Sequence, residues 1–315
     1  MQRFLLILTD KEADAFFNGR FLMQAQTHGM VTPINRSKID LGGSVPFIVM
    51  HVFGLGAFFF DFNMTMFWLC FASYYVRMIG ITAGYHRYFA HRSYKTSRVF
   101  QFILAFLAET SAQKGVLWWA AHHRHHHKHS DTDKDIHSPV TKGFWYSQVG
   151  WIMNSATEET NWKYIQDFAK FPELRWLNKY FLVPPTLYAV TLWLIWGWAG
   201  LFWGFFFSTI VLYHGTFFIN SLTHVFGRVR YRSGDESKNS LLLALITCGE
   251  GWHNNHHYYQ ATANQGWFWW EIDLSFYTLK LLSWAGIVWD LRLPPAHIKA
   301  RTIAAEEASK ATKVA

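Results

Sequence analysis

Four long apolar blocks, almost free of charged residues, constrain the fold of this chain more than any other feature. They cover residues 41–60, 64–84, 181–198 and 201–222, and Arg77 is the single Lys, Arg, Asp or Glu within them. Each block holds about 18 to 22 residues, and a helix rising about 1.5 Å per residue then crosses a hydrocarbon core of roughly 30 Å. The pattern predicts an all-α integral membrane protein with four transmembrane helices. The alternative is a soluble bundle of four buried helices.

The distribution of basic residues predicts how these helices are oriented. The turns after residues 60 and 197 contain no Lys or Arg, whereas the basic residues other than Arg77 lie before residue 41, between residues 87 and 179, or after residue 224. By the positive-inside rule the blocks form two hairpins with both termini in the cytoplasm. We therefore expect a cytoplasmic segment over residues 1–40, a membrane domain with a cytoplasmic helical cap over 41–292, and a cytoplasmic tail over 293–315.

Two further apolar stretches are less suited to crossing a membrane. Residues 99–108 are too short to span. Residues 267–289 mix five tryptophans with Glu271, Asp273 and Lys280, which is typical of a helix lying in the plane of the interface. A fifth span is the alternative for that stretch, and it would carry the C-terminus outside.

The net charge and the cysteines limit partners and compartment. The net charge of +8 fits an anionic membrane surface and an anionic substrate. We expect no nucleic-acid partner, because no basic stripe is interleaved with aromatic residues. Cys70 lies in a predicted span and Cys248 in a cytoplasmic segment, so no disulfide is expected. The compact chain favours a bacterial inner membrane over the endoplasmic reticulum.

Eight histidines fall into three compact boxes at the predicted cytoplasmic face. The boxes are His86 with His91, then His123, His126 and His127, and last His253, His256 and His257. Neutral imidazole is a common ligand of iron, zinc and copper. On a helix the H-x-x-H-H spacing puts all three rings on one face. The sequence therefore predicts a metal site that encloses more than one ion.

Spacing leaves two points about the boxes open. The second box begins at either His122 or His123, because both registers satisfy the pattern. His86 and His91 are five residues apart and would lie about 140° apart on an ideal α-helix, so we expect the helix to end or bend there.

Histidines outside the boxes fall into three groups. His224 lies four residues after Asn220 at the predicted cytoplasmic end of the fourth helix, so the two share one face. Within the spans we expect His51 and His214 to be packing residues. For His28, His137 and His297 we expect no role.

Together these motifs resemble the integral-membrane fatty acyl desaturases, and most of all their acyl-CoA delta-9 branch. The segments that carry the resemblance are GITAGYHRYFAHRSYK from Gly80, HRHHHKHSD from His123, NSLTH from Asn220 and GEGWHNNHH from Gly249. The resemblance runs over about residues 34–292. Within it, the Lys128-x-Ser130-Asp131 register selects His123 as the start of the second box.

The resemblance implies a di-iron enzyme that uses O2 to remove two hydrogens from a saturated acyl chain and leave a cis double bond. The ligands it implies are His86, His91, His123, His126, His127, His224, His253, His256 and His257, with Asn220 acting through water. The implied substrate is a fatty acyl-CoA or an acyl-lipid. Because the sequence carries no haem, flavin or iron–sulfur motif, electrons would come from a separate donor of the cytochrome b5, ferredoxin or rubredoxin type with its reductase.

Some residues around the boxes carry further expectations. Glu250, Asp131 and Glu109 are candidates to fix the tautomer of a ligand histidine. Tyr74, Met78 and Thr82 precede His86 at helical spacing, and they either line the acyl tunnel or pack between helices. Arg124 and Lys128, with Arg228, either meet CoA phosphates or belong to a basic membrane-facing cluster. The family commonly has a histidine at the position of Gln148, and often Thr-Phe-Pro where this chain has Tyr258-Tyr-Gln260.

Two rival functions share some of these features. A related di-iron hydroxylase of lipids or alkanes would use the same ligands, although the Asn-x-x-x-His element favours desaturation. A metal transporter would place its ligands near the middle of the bilayer, whereas these boxes lie at helix ends.

Overall fold

The computed structural model describes residues 40–154 and 157–305, which are mostly helical. The α-helices are α1 Leu41–Leu55, α2 Met64–Ile79, α3 Arg98–Glu109, α4 Val116–His129, α5 Pro139–Lys142, α6 Gln166–Ala169, α7 Pro172–Lys179, α8 Val183–Ala199, α9 Ser208–Asn220, α10 Leu222–Val225, α11 Leu241–Ile246, α12 His253–Tyr258, α13 Leu274–Trp284 and α14 Ala296–Lys299. The π-helical stretches are Gly80–Ala90, Tyr146–Gly150 and Gly200–Phe207, and the 3-10 turns are Gly56–Phe59 and Trp162–Tyr164. Two short strands, β1 Lys95–Thr96 and β2 Val288–Trp289, pair antiparallel. The predictions for residues 1–39 and 306–315 fall outside the described residues.

Two helical stretches are long and apolar enough to cross a membrane, Met64–Ala90 and Val183–Val225, and Ser44–Phe59 is a shorter apolar helix. Large apolar side chains on these stretches are exposed, among them Trp68, Leu194 and Trp198. In water such a surface would be unfavourable, whereas lipid accommodates it. The helical composition and these two candidate spans agree with the expected membrane protein.

The second of these stretches reverses direction at Gly197. Its backbone angles there are φ 63° and ψ −155°, a left-handed conformation that glycine adopts at low cost. After this turn the chain packs closely against α8. The close approach is evident at Gly200, where a Cβ would lie 2.9 Å from the carbonyl oxygen of Leu192. The region 183–225 is therefore two packed helices. The turn lies within the predicted 197–204 connection.

The first pair of helices is joined by a short turn and packs against the second pair. Asn63 ends this turn, and its side chain accepts a hydrogen bond from the backbone N–H of Met66, which caps α2. Glycines of α1 allow close approach, since a Cβ at Gly54 would lie 2.8 Å from the side chain of Ile210.

Arg77 is the charged residue inside the α2 stretch, and it is 1% exposed. Its guanidinium donates to the hydroxyls of Ser208 and Thr209 at 2.5 and 2.6 Å, and its Nε donates to the carbonyl of Ser73. Among the described residues no carboxylate contacts it. A buried arginine at this depth needs its donors satisfied, so these bonds fix α2 against α9.

The helix that carries His86 ends at Ala90, which confirms the predicted end between His86 and His91, but its geometry there is not α-helical. It widens into the π-helical stretch Gly80–Ala90, and the N–H of His91 bonds to the carbonyl of His86 at 3.1 Å. In a π-helix the hydrogen bond spans five residues rather than four, so residues five apart lie above one another. The prediction assumed α-helical geometry. The wider turn brings both imidazoles to one side.

The cap is formed by α3, α4, α7 and the segment after α10, and its core is apolar. Leu117, Phe89, Ile165 and Leu177 are fully buried there. The stretch 267–289 contains α13 from Leu274 to Trp284, with Leu281 and Trp284 60% and 73% exposed. A helix in the plane of the interface would present such side chains, and its placement there stays a prediction.

Candidate metal centre

The nine histidines expected from the sequence come together in two adjoining clusters. One contains five rings, of His86, His91, His123, His127 and His256, and the other contains four, of His126, His224, His253 and His257. In each cluster one nitrogen from every ring lies within 4.8 Å of all the others. The second box therefore begins at His123. The alternative His122 bonds through Nδ1 to the carbonyl of Trp118 and lies in neither cluster.

In the five-histidine cluster the Nε2 atoms face one another. Successive Nε2–Nε2 distances are 3.0 Å from His86 to His256, then 2.9 Å from His256 to His127, from His127 to His123 and from His123 to His91. The Nδ1 of His86 lies 2.6 Å from the carboxylate of Glu250, so its Nε2 carries a lone pair. Where each of these nitrogens carries a lone pair, the lone pairs repel one another, and a cation between them removes that repulsion. They form a donor set suited to a metal ion.

The four-histidine cluster is fully buried, and aspartates hold three of its rings. His224 donates from Nδ1 to Asp131 at 2.9 Å, His126 to Asp135 at 3.0 Å and His257 to Asp235 at 2.5 Å. Each bond places the proton on Nδ1 and leaves Nε2 free to bind a metal. The Nε2 of His257 is buried with no hydrogen-bond partner among the described residues. A bound cation would satisfy that nitrogen.

Of the three carboxylates proposed to hold ligand histidines, Glu250 and Asp131 contact such rings. Glu109 does not; its Oε1 accepts from the backbone N–H of Val116 and so caps α4. Asp135 and Asp235 were missed. Their partners lie 9 and 22 residues away along the chain, and no local spacing distinguishes Asp135 from Asp133.

Burial keeps most of the clustered imidazoles neutral. Desolvation, followed by repulsion from neighbouring rings, holds the pKa values of His123, His127, His253 and His256 well below 6.5. Burial also opposes the charge on Asp131, but hydrogen bonds from His224 and Ser138 outweigh it and lower the pKa of that carboxyl to about 2. Neutral rings beside ionised carboxylates are the protonation states that metal binding needs.

A strained turn presents the third box. Cys248 and Gly249 both have positive φ, 55° and 118°, and a Cβ at Gly249 would lie 2.3 Å from Asp273. Glycine is required there for both reasons. The turn brings Glu250 against His86, and the fully buried Arg87 bonds to both Glu250 and Asp273.

His137 has a neighbour that the sequence did not predict. Its ring packs 4.4 Å from that of His126, and with His126 and Asp135 it forms a third group of possible ligands. Burial, followed by repulsion from His126, lowers its pKa to about 3. No role was expected for His137, because no motif in the sequence includes it.

The candidate substrate residues occupy two different places. Tyr74 and Met78 are buried and would meet a Cβ at Gly215, while Thr82 lies 2.5 Å from the hydroxyl of Ser275. Asn220, the candidate water-mediated ligand, is half-buried at the end of α9.

The two basic candidates are on α4, next to the five-histidine cluster. Arg124 is bound to both oxygens of Asp167 and to the carbonyl oxygens of Phe89 and Ala90. These bonds occupy its donors in holding the cap together. Lys128 is exposed and lines an open cavity of about 360 Å³ together with His91 and His127.

Comparisons with known proteins agree with this geometry. The fatty acid desaturase family model matches residues 63–290. The chain is 36% identical over 261 residues to an sn-1 stearoyl-lipid 9-desaturase of Anabaena variabilis, which covers 82% of this chain and 96% of that protein. It is also 36% identical to an sn-2 palmitoyl-lipid 9-desaturase of Nostoc (66% and 75% covered) and 35% identical to an acyl-CoA 5-desaturase of Anemone leveillei (78% and 77% covered). The chain belongs to the fatty acid desaturase family, and it is an oxidoreductase.

Proposed function

We propose that this enzyme is an oxygen-dependent desaturase that introduces a cis double bond at position 9 of a saturated acyl chain. The observation that carries the proposal is the convergence of nine imidazoles into two adjoining clusters within a desaturase-family chain. Relatives named 9-desaturases support the position of the bond.

Two iron ions fit the clusters, because the donors are imidazoles and carboxylates hold four of them in one tautomer. The five-histidine cluster would hold one ion, and the four-histidine cluster the other, with Asn220 acting through water. When bound, the iron ions and O2 supply the oxidising power that breaks unactivated C–H bonds, which acid–base side chains lack.

The residues of this chain contribute orientation and exclusion of water. Glu250, Asp131, Asp135 and Asp235 hold four rings in the metal-binding tautomer. The apolar surroundings of Tyr74 and Met78 adjoin the buried side of the site, and we propose that these two residues close the far end of the acyl path. Tyr74→Ala should then extend the accepted chain length, and an unchanged product profile would remove Tyr74 from that role.

The acyl carrier is either CoA or a membrane lipid. The sequence resemblance implies a CoA thioester, and the acyl-CoA 5-desaturase relative is consistent with it. The stearoyl-lipid and palmitoyl-lipid relatives favour a lipid ester as the second candidate. Supplying labelled stearoyl-CoA or labelled phospholipid to membranes distinguishes the carriers by which one acquires the double bond first.

We further propose a membrane domain of four spans in two hairpins, with the metal centre and both termini cytoplasmic. The turns at Asn63 and Gly197 and the absence of basic residues around them support this arrangement. A separate protein would deliver two electrons per turnover.

The test is expression in a host that lacks its own 9-desaturase, followed by gas chromatography–mass spectrometry of the lipids. We expect oxygen-dependent appearance of cis-9 unsaturated chains, and none with His256→Ala. Hydroxylated chains in place of unsaturated ones, or unsaturation at another position, would overturn the proposal.

A further inference from the structure

A row of polar side chains runs from α1 to Ser221, three residues before His224 of the four-histidine cluster, and the proposed function does not use it. It joins His51, His214, Gln148 and Ser221 through contacts of 3.2, 3.3 and 2.5 Å. His51 and His214 lie on apolar helices, where an unsatisfied polar group is costly. We call these four residues the polar chain.

The polar chain has one consistent direction when both imidazoles are neutral. The Nδ1 of His51 lies 2.8 Å from the carbonyl of Phe47 and must donate to it, so its Nε2 accepts. The Nε2 of His214 then donates to His51, and its Nδ1 accepts from the amide of Gln148. The carbonyl oxygen of Gln148 in turn accepts from the hydroxyl of Ser221. Every contact in the chain is satisfied by a single tautomer of each ring.

The polar chain ends at Ser221, which lies close in sequence to two candidate site residues, Asn220 and His224. Ser221 is fully buried at the break between α9 and α10. Beside it, the hydroxyl of Ser147 donates to the carbonyl of Asn220 at 3.2 Å. Three residues after Ser221, the Nε2 of His224 lies 3.1 Å from that of His253 in the four-histidine cluster. The neighbouring residues 147 and 148 thus hold residues 220 and 221 together.

We infer that Gln148 is a positioning residue for the four-histidine half of the metal centre, acting through Ser221 on Asn220 and His224. This rests on the proposed function only in assuming that the histidine clusters bind metal. Position 148 needs a group that donates on one side and accepts on the other. An amide does so, and a neutral imidazole does so as well, whereas leucine does neither.

The experiment compares purified full-length protein with its Gln148→Leu, Gln148→His and Ser221→Ala variants. Iron content is measured by mass spectrometry, and the environment of each ion by Mössbauer spectroscopy. We expect Gln148→Leu and Ser221→Ala to fall from two ions per chain toward one, with the remaining ion spectroscopically unchanged. Gln148→His should restore the second ion, because it restores both hydrogen-bonding functions.

Ser73→Ala is the matched control, because it removes a buried contact between helices, to Tyr188, that lies outside the polar chain. We expect it to retain both ions. Equal loss in Ser73→Ala, full iron content in both Gln148→Leu and Ser221→Ala, or failure of Gln148→His to restore the ion would overturn the inference. Unaltered protein that binds two ions but forms no double bond would count against the proposed function alone.

Discussion

The two histidine clusters are built from the same ligand type but differ in exposure and in charge. His91, His123 and His127 of the five-histidine cluster are half-buried, and two of them line an open cavity. The four-histidine cluster is buried throughout. Among the described residues, three aspartates contact its rings, whereas Glu250 is the single carboxylate at the five-histidine cluster, and Arg87 also binds it.

This difference indicates that the two proposed ions have different roles. A closed site beside three anionic carboxylates retains a cation strongly and admits little water. We propose that the open site, with more imidazoles and less negative charge, is the one that O2 and an electron donor approach. Identical ligands can therefore make unlike sites when the surrounding carboxylates and the solvent access differ.

The largest expected effect is the loss of both clusters at once. A Cβ at Gly251 would lie 2.0 Å from the backbone nitrogen of Ala244, so Gly251→Ala should displace the third box, which serves both clusters. Overpacking of this kind costs about 1–3 kcal/mol or more. We expect loss of both ions and a lower melting temperature, measured by iron analysis and thermal unfolding. Gly42→Ala has only an ordinary contact at 3.4 Å and is the control; retained iron in Gly251→Ala would contradict the account of the turn.

Single histidine substitutions should separate the clusters. We expect His256→Ala to lose the ion of the open cluster and His253→Ala that of the closed cluster, and both to reduce turnover below detection. Iron content and Mössbauer spectra identify which ion remains. The exposed His297→Ala should change neither measurement. If both variants lose the same ion, the division into two sites is wrong.

Carboxylate substitutions should give smaller, cluster-specific effects. Asp235→Asn should weaken retention in the closed cluster, and Glu250→Gln in the open one, each by roughly 10- to 100-fold in metal affinity. Iron release to a chelator, followed over time, measures this. Asp290→Asn is the control, because its ion pair with Lys95 is exposed. An equal effect of both substitutions on both ions would show that the carboxylates act through the fold as a whole.

The smallest effect concerns a buried carboxyl outside both clusters. Burial raises the pKa of Glu109 to about 8 from 4.5. The unfolded chain therefore loses this proton first, and the contribution of Glu109 to stability declines as pH rises from about 4.5 to about 8. Glu109→Gln should remove that part of the decline, seen as a shallower fall of melting temperature between pH 5 and 8. Parallel curves for the two proteins would show that Glu109 does not titrate in this range.

Much of the fold and the site followed from local sequence patterns. Uncharged blocks predicted the apolar helices around Arg77, because burial in lipid excludes charge whatever the tertiary contacts. The spacing of His123, His126 and His127 predicted a shared helical face, because helix geometry is local. The reversal at Gly197, which divides residues 183–225 into two helices, also has a local cause, because glycine adopts a positive φ at low cost.

What the sequence did not reveal depends on distant partners. Asp235 acquires its role from His257, and Gln148 from His214 and Ser221, which the fold alone brings together. The widening of the helix after Gly80 was also missed, because amphipathic spacing is read with a fixed period. Glu109 was a candidate to hold a ligand histidine and instead caps α4, because acidic character alone does not say which donor a carboxylate will meet.

The widened turns of residues 80–90 make the length of this helix as important as its composition. Deleting one residue between Gly80 and Tyr85 would rotate everything before it by roughly a quarter of a turn relative to His86, since the π-helix has more residues per turn than the α-helix. Arg77 would then face away from Ser208 and Thr209 while the histidines stayed in place. The exposed side of α2 can therefore change by substitution, whereas a change of even one residue in length would break the bonds of Arg77 to α9 or move His86.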